Sequence, residues 1–220
     1  MDALIVVMDF DGAPADEFAD WYDSEHLPER RALPGWLSGA RYLAVGGAAR
    51  SVALYDLDSV DALDTEDYRR LVSTGSSPWR DRIHRLRDAQ RRPSLRYQCR
   101  QLSPGESLAP AGPEYLYLAR MNVAPEVEDE FNNWYDEEHL PALAAVPGVR
   151  AARRFRALNS DDRLHRYLAT YHLDSPDTVT SPQWRDALRT RRTRQIWPQV
   201  LDVDLALFRL AGTAAWTVRS

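Results

Sequence analysis

The sequence predicts an α+β protein built from two tandem βαββαβ units, and a repeated motif is the main reason for this prediction. Residues 16–28 read DEFADWYDSEHLP and residues 129–141 read DEFNNWYDEEHLP, so ten of thirteen positions are identical at a constant offset of 113. Strand-like and helical runs follow one order around each copy, and a segment rich in proline and glycine separates the two halves. We therefore expect unit one at 1–103, a connector at 104–113, unit two at 114–210 and a tail at 211–220.

Unit one begins with a short apolar β-type run, Ala3 to Phe10, and continues into a helix. Pro14 and the acidic residues after it favour a helix start. The residue before a proline is pushed out of the helical region, so Leu27 before Pro28 should end this helix near position 26. Two strands are then expected at 36–45 and 51–58, a helical region at 59–88 that breaks near 73–78, and a closing strand at 95–102.

Unit two repeats this order. Strands are expected at 115–123, 149–158, 164–173 and 203–210, with a first helix at 125–139 and a second helical region in which 181–186 echoes 77–81. The tail has no clear pattern. This order is the split βαβ or ferredoxin-like topology, whose sheet carries helices on one face. We expect the two bare faces to pack sheet to sheet within the chain, as an intrachain pseudo-dimeric α+β barrel.

Composition narrows the class of protein. The net charge of −5 argues against a nucleic-acid partner, and the apolar start is too short for a signal peptide or a membrane span. All 28 basic residues are arginine, which excludes Schiff-base chemistry and lysine-dependent phosphate loops. The single cysteine, Cys99, should pack as a small hydrophobe in a reducing cytoplasm. The expected partner is a small-molecule substrate, with no membrane contact, and the chain should be a monomeric pseudo-dimer or a homodimer.

The motif places an aromatic wall beside an imidazole and a carboxylate at the end of the first helix. Residues four apart share a helix face, so Tyr22 should lie beside His26. The negative end of the helix and the nearby Asp23 favour a protonated imidazole, which suits a general acid or a hydrogen-bond donor. The second copy supplies the same candidate catalytic groups, namely Tyr135, Asp136 and His139.

Structural explanations compete with these roles. A histidine at a helix end can cap carbonyl groups, and the Asp–His spacing indicates a salt link more than a metal site. No cofactor and no metal is expected, and no residue is singled out as a haem ligand. The other histidines are expected at the surface or in packing: His84, His165 and His172. The arginine-rich stretches 80–92 and 185–194 are expected to be solvated helix surfaces, with an anionic-ligand gate as the alternative.

The paired elements Trp-Tyr-Asp and Glu-His-Leu-Pro, at 21–28 and 134–141, resemble those of the dimeric α+β barrel superfamily, especially its EthD-like and muconolactone-isomerase-like branch. Members are commonly homodimers of one such unit, so this chain resembles a fused tandem version. The resemblance implies a scaffold that serves isomerases, cyclases, decarboxylases, cofactor-free monooxygenases and haem enzymes.

Three functional hypotheses follow. The first is a cofactor-independent isomerase, dehydratase, decarboxylase or cyclase, in which His26 and His139 move a proton on a cyclic or aromatic metabolite. The substrate class is implied by the resemblance, and the site should lie between the first helix and the sheet of each unit. The second is a monooxygenase of the same fold, with haem or without a bound cofactor. The third is a non-catalytic ligand carrier or accessory protein.

Overall fold

A computed structural model describes residues 1–9, 15–46, 50–73, 77–88, 94–103, 108–110 and 113–217. Several sequence-predicted features lie outside these residues. They are the helix start at Pro14, part of the helix break at 74–76, the arginines at 91 and 92, most of the connector, and the last three residues of the tail.

The first half of the chain alternates strands and helices. Its elements are β1 (Asp2–Asp9), α1 (Ala15–Trp21), a π turn (Tyr22–His26), α2 (Leu27–Arg31), β2 (Trp36–Ala44), β3 (Arg50–Leu57), a 3₁₀ turn (Val60–Asp64), α3 (Glu66–Ser73), α4 (Pro78–Asp88) and β4 (Leu95–Gln101).

The second half follows the same plan. Its elements are β5 (Tyr115–Val123), a 3₁₀ turn (Pro125–Val127), α5 (Glu128–Trp134), a π turn (Tyr135–His139), α6 (Leu140–Ala144), β6 (Val149–Ala157), β7 (Tyr167–Leu173), a 3₁₀ turn (Pro176–Thr180), α7 (Pro182–Ala187), α8 (Arg191–Ile196), a 3₁₀ turn (Trp197–Gln199) and β8 (Val200–Thr217).

The eight strands close into an antiparallel barrel in the order β1-β3-β2-β8-β5-β7-β6-β4. The order reads β4-β1-β3-β2 for the first four strands and β8-β5-β7-β6 for the last four. Two seams join these halves, β2 with β8 and β4 with β6. The predicted α+β class and barrel core are therefore confirmed.

Three apolar layers follow from the alternation of side chains along each strand. One set of residues fills the barrel, and it includes Ile5, Leu54, Cys99, Leu118, Leu168 and Phe208. The opposite faces of the same strands pack under the helices in two separate outer cores. Cys99 is fully buried in the barrel layer, as the sequence predicts, and burial raises the pKa of its thiol.

The prediction that the first helix ends before Pro28 is wrong. The chain stays helical through α2, because the π turn intervenes and the Leu27 N–H donates to the Tyr22 carbonyl, five residues back. A π turn pairs backbone groups five residues apart instead of four. The carbonyl groups that face the proline therefore change, and the proline has no N–H that would need one of them. The second copy does the same before Pro141, where the helical path reaches Ala144 instead of ending at position 139.

The last strand is longer than the sequence predicts. β8 runs from Val200 to Thr217, so residues 211–217, expected to be a patternless tail, belong to a strand. Thr217 pairs with Ser38 and Ala211 pairs with Arg41, which leaves an irregular bulge on β8 between these two pairs. The bulge disrupts the alternation of apolar and polar residues that would reveal a strand. Among the helices of the described ranges, none is long and apolar enough to cross a membrane.

Candidate functional site

Each half of the chain has a cavity between its helices and the outer face of the barrel. Cavity one has a volume of about 100 Å³, and its lining includes Val6, Met8, Tyr22, His26, Arg30 and Tyr55. Cavity two has a volume of about 250 Å³, and its lining includes Ala119, Met121, Tyr135, His139, Leu143 and Tyr171. Of the six residues named here for cavity one, five have their counterpart, 113 positions later, among the six named for cavity two. The repeat therefore places cavities at equivalent points, and the candidate histidines and tyrosines line them.

Both motif histidines lie in the π turns, with their rings between aromatic side chains. The His139 ring centroid is 4.3 Å from that of Trp134 and 4.7 Å from that of Tyr135. The His26 ring lies 4.8 Å from Trp21 and 4.4 Å from Tyr22. The two imidazoles thus occupy matching aromatic environments.

The expectation that these histidines are protonated is wrong. Burial lowers the pKa of His139 from 6.5 to about 4, and Arg154 adds to that shift. Burial also holds the pKa of His26 well below 6.5, with further lowering by Arg30 and Arg80. Both imidazoles are therefore neutral at neutral pH, and each has a nitrogen lone pair that can act as a base, weakened by its burial. In the described structure, Nδ1 of each is buried without a hydrogen-bond partner.

Each motif tyrosine pairs with a second tyrosine on the adjacent strand. The hydroxyl groups of Tyr22 and Tyr55 are 2.7 Å apart, and those of Tyr135 and Tyr171 are 3.3 Å apart. Burial raises the pKa of all four phenols, that of Tyr135 to about 12, so they stay protonated and act as hydrogen-bond donors. Sequence analysis missed the strand tyrosines because they are spaced by 116 residues rather than 113.

The predicted salt link between Asp136 and His139 is replaced by a pair with a buried arginine. Arg154, 1% exposed at its side chain, donates to the Asp136 carboxylate at 2.7 Å. Its guanidinium also lies over Tyr135, 4.5 Å from the ring centroid. A carboxylate at the protein surface and the faces of aromatic rings together compensate this buried charge.

Arg41 is the equivalent residue of the first half. It is buried, and its guanidinium is 5.1 Å from the Tyr22 ring centroid and close enough to Asp23 for attraction. The Asp23 carboxylate also fills the space beside Gly212, where an added Cβ would clash with its oxygen atoms. The offset of 113 between Arg41 and Arg154 was the signal that could have revealed this pair.

The motif glutamates tie the first helix to a later one. Ser77, which precedes α4, donates to Glu25 at 2.7 Å, and Thr190, the N-cap of α8, donates to Glu138. Ser77 therefore corresponds to Thr190, and the sequence echo that paired it with the segment beginning at Ser181 was misleading. These glutamates hold the helix that covers each cavity.

The remaining sequence candidates have other positions. His172 is fully buried in the barrel and His165 lies 3.3 Å from the Tyr97 hydroxyl, so both take part in packing. His84 instead lines cavity one. Arg80 is only 4% exposed and pairs with Glu29. The prediction that the stretch 80–92 forms a solvated helix surface is therefore wrong at Arg80. Among the described residues, no group of three His, Cys, Asp or Glu side chains could hold a metal ion.

Cavity two combines a neutral base, a hydrogen-bonded pair of phenols and an apolar interior. Its outer rim is also apolar, because Leu205 is 45% exposed and Trp197 is 37% exposed while both line the cavity. A small aromatic molecule could enter over this rim and meet His139 and the tyrosine pair inside. The arrangement can accept a proton from such a molecule and donate hydrogen bonds to its oxygen atoms.

Comparisons with known proteins place this geometry in context. A family model described as a domain of unknown function (DUF4286) matches residues 114–195. A search of curated proteins found no match.

Solved structures match over nearly the whole chain. An anthrone oxidase-like protein is similar at 14% identity and a TM-score of 0.62, covering 97% of this chain and 93% of that one. A protein assigned as a monooxygenase, from Lactobacillus acidophilus, has 10% identity and a TM-score of 0.58, covering 99% of each chain. A heme-binding protein from Thermus thermophilus has 16% identity and a TM-score of 0.53, covering 96% and 92%. The chain thus has the fold of antiparallel α+β barrel proteins with oxidative or haem-related descriptions.

These matches overturn the first functional hypothesis. The isomerase, dehydratase, decarboxylase or cyclase prediction is wrong, because the matched structures are described as oxidase-like, monooxygenase or heme-binding proteins.

Haem does not fit cavity two. The cavity of about 250 Å³ is below the roughly 300–1,000 Å³ that drug-sized ligands occupy, and haem is larger than those. Its described lining also has no arginine to pair with the propionates. Cavity one has arginines but only about 100 Å³.

Proposed function

We propose that this protein is an oxygen-dependent monooxygenase that oxidises a small aromatic substrate in cavity two. The observation that carries the proposal is the buried, neutral His139 beside the Tyr135–Tyr171 pair on the wall of an apolar cavity. The likeness of fold to an anthrone oxidase-like protein and to a monooxygenase supports the reaction class. A substrate of the anthrone type, with a CH₂ group between aromatic rings and a carbonyl opposite, suits the cavity's chemistry.

The reaction begins with proton transfer from the substrate CH₂ to His139. Burial makes this imidazole a weak base, so the transfer depends on the hydrogen bonds that stabilise the carbanion as it forms. The carbanion that remains is delocalised over the rings and the carbonyl, and it reduces O₂ as a carbon–oxygen bond forms. The imidazolium of His139 returns its proton to the resulting peroxide. Loss of the second CH₂ proton and cleavage of the O–O bond then give a carbonyl group and water, so one atom of O₂ enters the product and the other leaves as water.

The surrounding residues position the substrate and make its CH₂ group more acidic. The phenols of Tyr135 and Tyr171 are protonated and hydrogen-bonded to each other, so one hydroxyl donates to its partner and the other donates to the substrate carbonyl, where negative charge develops. The Arg154 guanidinium lies over the Tyr135 ring, and Asp136 pairs with Arg154. Asp136 is therefore proposed as a positioning residue. Catalytic roles for His26, Tyr22 and Asp23 stay predictions from the sequence.

Oxygen uptake with anthrone as the probe substrate tests this proposal. His139→Gln should lower the rate of uptake by about 100-fold or more, because general-base catalysis contributes about 10²–10⁴-fold. His165→Gln, a variant outside both cavities, is the matched control and should retain the rate. Equal rates in wild type and His139→Gln would contradict the proposal, and saturable anthrone binding without uptake would favour a ligand carrier.

We further propose that the chain is a tandem duplication whose two ferredoxin-like units form an intrachain pseudo-dimer. The equal strand orders of the two halves, the matching π turns and the constant offset of 113 support this. A closed barrel has no free strand edges to pair with another chain, so the protein should be monomeric. The narrower likeness to the EthD-like branch, the absence of nucleic-acid and membrane partners, and the cytoplasmic location remain predictions from the sequence.

A further inference from the structure

Cavity one and cavity two differ in charge at matched positions. Arg30 lines cavity one, and the residue 113 positions later, Leu143, lines cavity two. The strand register gives a second match, because Val6 pairs with Arg96 while the equivalent Ala119 pairs with Leu205. Both leucines line cavity two and both arginines line cavity one.

A third position follows the same pattern. His84 lines cavity one, and Trp197, which is 113 residues later, lines cavity two. Basic side chains of the first cavity are thus replaced by apolar ones in the second at three equivalent points. One cavity of the repeat favours an anion and the other an apolar ligand.

The arginines of cavity one are held in place around Tyr68. Arg30 is 9% exposed, and its guanidinium carbon is 5.8 Å from the Tyr68 ring centroid and 5.9 Å from that of Trp36. Arg96 donates to the Tyr68 hydroxyl at 2.9 Å. The two guanidinium groups therefore converge on one aromatic ring at the cavity wall.

The acidic groups nearby do not neutralise these arginines fully. Glu29 is 3.5 Å from Arg30 but makes its closer contact with Arg80, which also lies 3.8 Å from Glu25. Within the described parts of the chain, Arg96 forms no ion pair with a carboxylate. Three guanidinium groups thus share two carboxylates, which leaves a positive site at the cavity.

We propose that cavity one binds a small organic carboxylate, with its charged group on Arg30 and Arg96. Arginine binds carboxylates through paired, charge-assisted hydrogen bonds. The apolar end of the ligand would contact Leu4, Val6 and Met8. A volume of about 100 Å³ is smaller than the roughly 150 Å³ cavity that holds benzene, so the ligand should have about two or three carbon atoms. This site is independent of the reaction proposed for cavity two.

Fluorine NMR of the full chain with difluoroacetate tests the site, and difluoroacetamide serves as the neutral probe of similar shape. Wild type should bind the acid saturably and the amide at least about tenfold more weakly, since a hydrogen bond to a charged group contributes about 1.5–3 kcal/mol. Arg30→Leu and Arg96→Leu should each weaken binding of the acid about tenfold or more. Arg31→Leu, which removes a neighbouring exposed arginine, should leave binding unchanged.

Both test variants are expected to fold. Leucine already occupies the position equivalent to Arg30, and Arg96 is exposed. Equal binding of acid and amide would overturn the proposal. An equal loss of difluoroacetate binding in Arg31→Leu would also overturn it. So would chloride that displaces the probe as effectively as propionate does. Either result would show unspecific attraction of anions.

Discussion

The substitution His139→Gln should make the protein less sensitive to mild acid. Glutamine retains hydrogen-bonding groups at this position but cannot be protonated. In wild type, the folded-state pKa of His139 is about 4 and its ordinary value is 6.5. Below pH 6.5 the imidazole of the unfolded chain binds a proton that the folded chain excludes. The contribution of His139 to the free energy of unfolding is therefore fully present above pH 6.5 and is lost as pH falls toward 4.

The size of this effect follows from the pKa difference. A shift from 6.5 to about 4, at about 1.4 kcal/mol for each pKa unit, makes the full loss about 3 kcal/mol. By pH 5 the loss should be about 2 kcal/mol. His26 and His172 titrate in the same direction, but they are present in both proteins and cancel in the comparison.

Urea unfolding followed by tryptophan fluorescence measures this difference. The free energy of unfolding should fall between pH 7 and pH 5 by about 2 kcal/mol more in wild type than in His139→Gln. The two proteins should change within about 0.2 kcal/mol of each other between pH 7 and pH 8, where this imidazole is mostly neutral in both states. An equal fall in both proteins between pH 7 and pH 5 would refute the assignment of a buried, neutral His139.

Three further predictions concern the surroundings of the two sites. Gly212→Ala should lower the free energy of unfolding by more than about 1 kcal/mol, because φ is +74° and the new Cβ would meet the Asp23 carboxylate. Gly46→Ala is the control, since its φ is +101° but no atom lies within 4 Å of the new Cβ. It should lower the free energy of unfolding by less in the same urea titration. Tyr171→Phe should lower the free energy of unfolding by about 1 kcal/mol, because the hydrogen bond to Tyr135 is lost. The same variant should weaken anthrone binding in a fluorescence titration. Unchanged values would show that the phenol pair contributes neither to stability nor to binding. Light scattering after size-exclusion chromatography should give the monomer mass of 25.1 kDa, and twice that mass would contradict the proposal that the protein is a monomer.

The sequence predicts the barrel because the repeat is long enough to align two halves. The offset of 113 locates both copies of the motif, and the apolar runs locate the strands that follow. The π turns could not be predicted, because a proline after a helical pattern ordinarily ends the helix. The final part of β8 was missed for a related reason, since its bulge at Gly212 interrupts the alternation of apolar and polar residues.

The site was only partly predictable, because charge depends on burial. His139 follows acidic residues in sequence, which favours a proton, but aromatic rings and Arg154 surround it in the fold. Arg154 itself looks like a surface residue of a basic run and is instead among the most buried side chains of the protein. The charge of His139 and the burial of Arg154 both depend on contacts between separate elements of the fold. Residue spacing along the chain does not reveal these contacts.

In the proposed reaction one oxygen atom from O₂ enters the substrate. Incubation of wild type with anthrone under ¹⁸O₂, followed by mass spectrometry of the product, shows where that oxygen atom comes from. We expect anthraquinone that carries one labelled oxygen atom, formed about 100-fold more slowly when His139→Gln replaces wild type. Anthrone recovered unchanged, or a product that takes its oxygen from water, would contradict it.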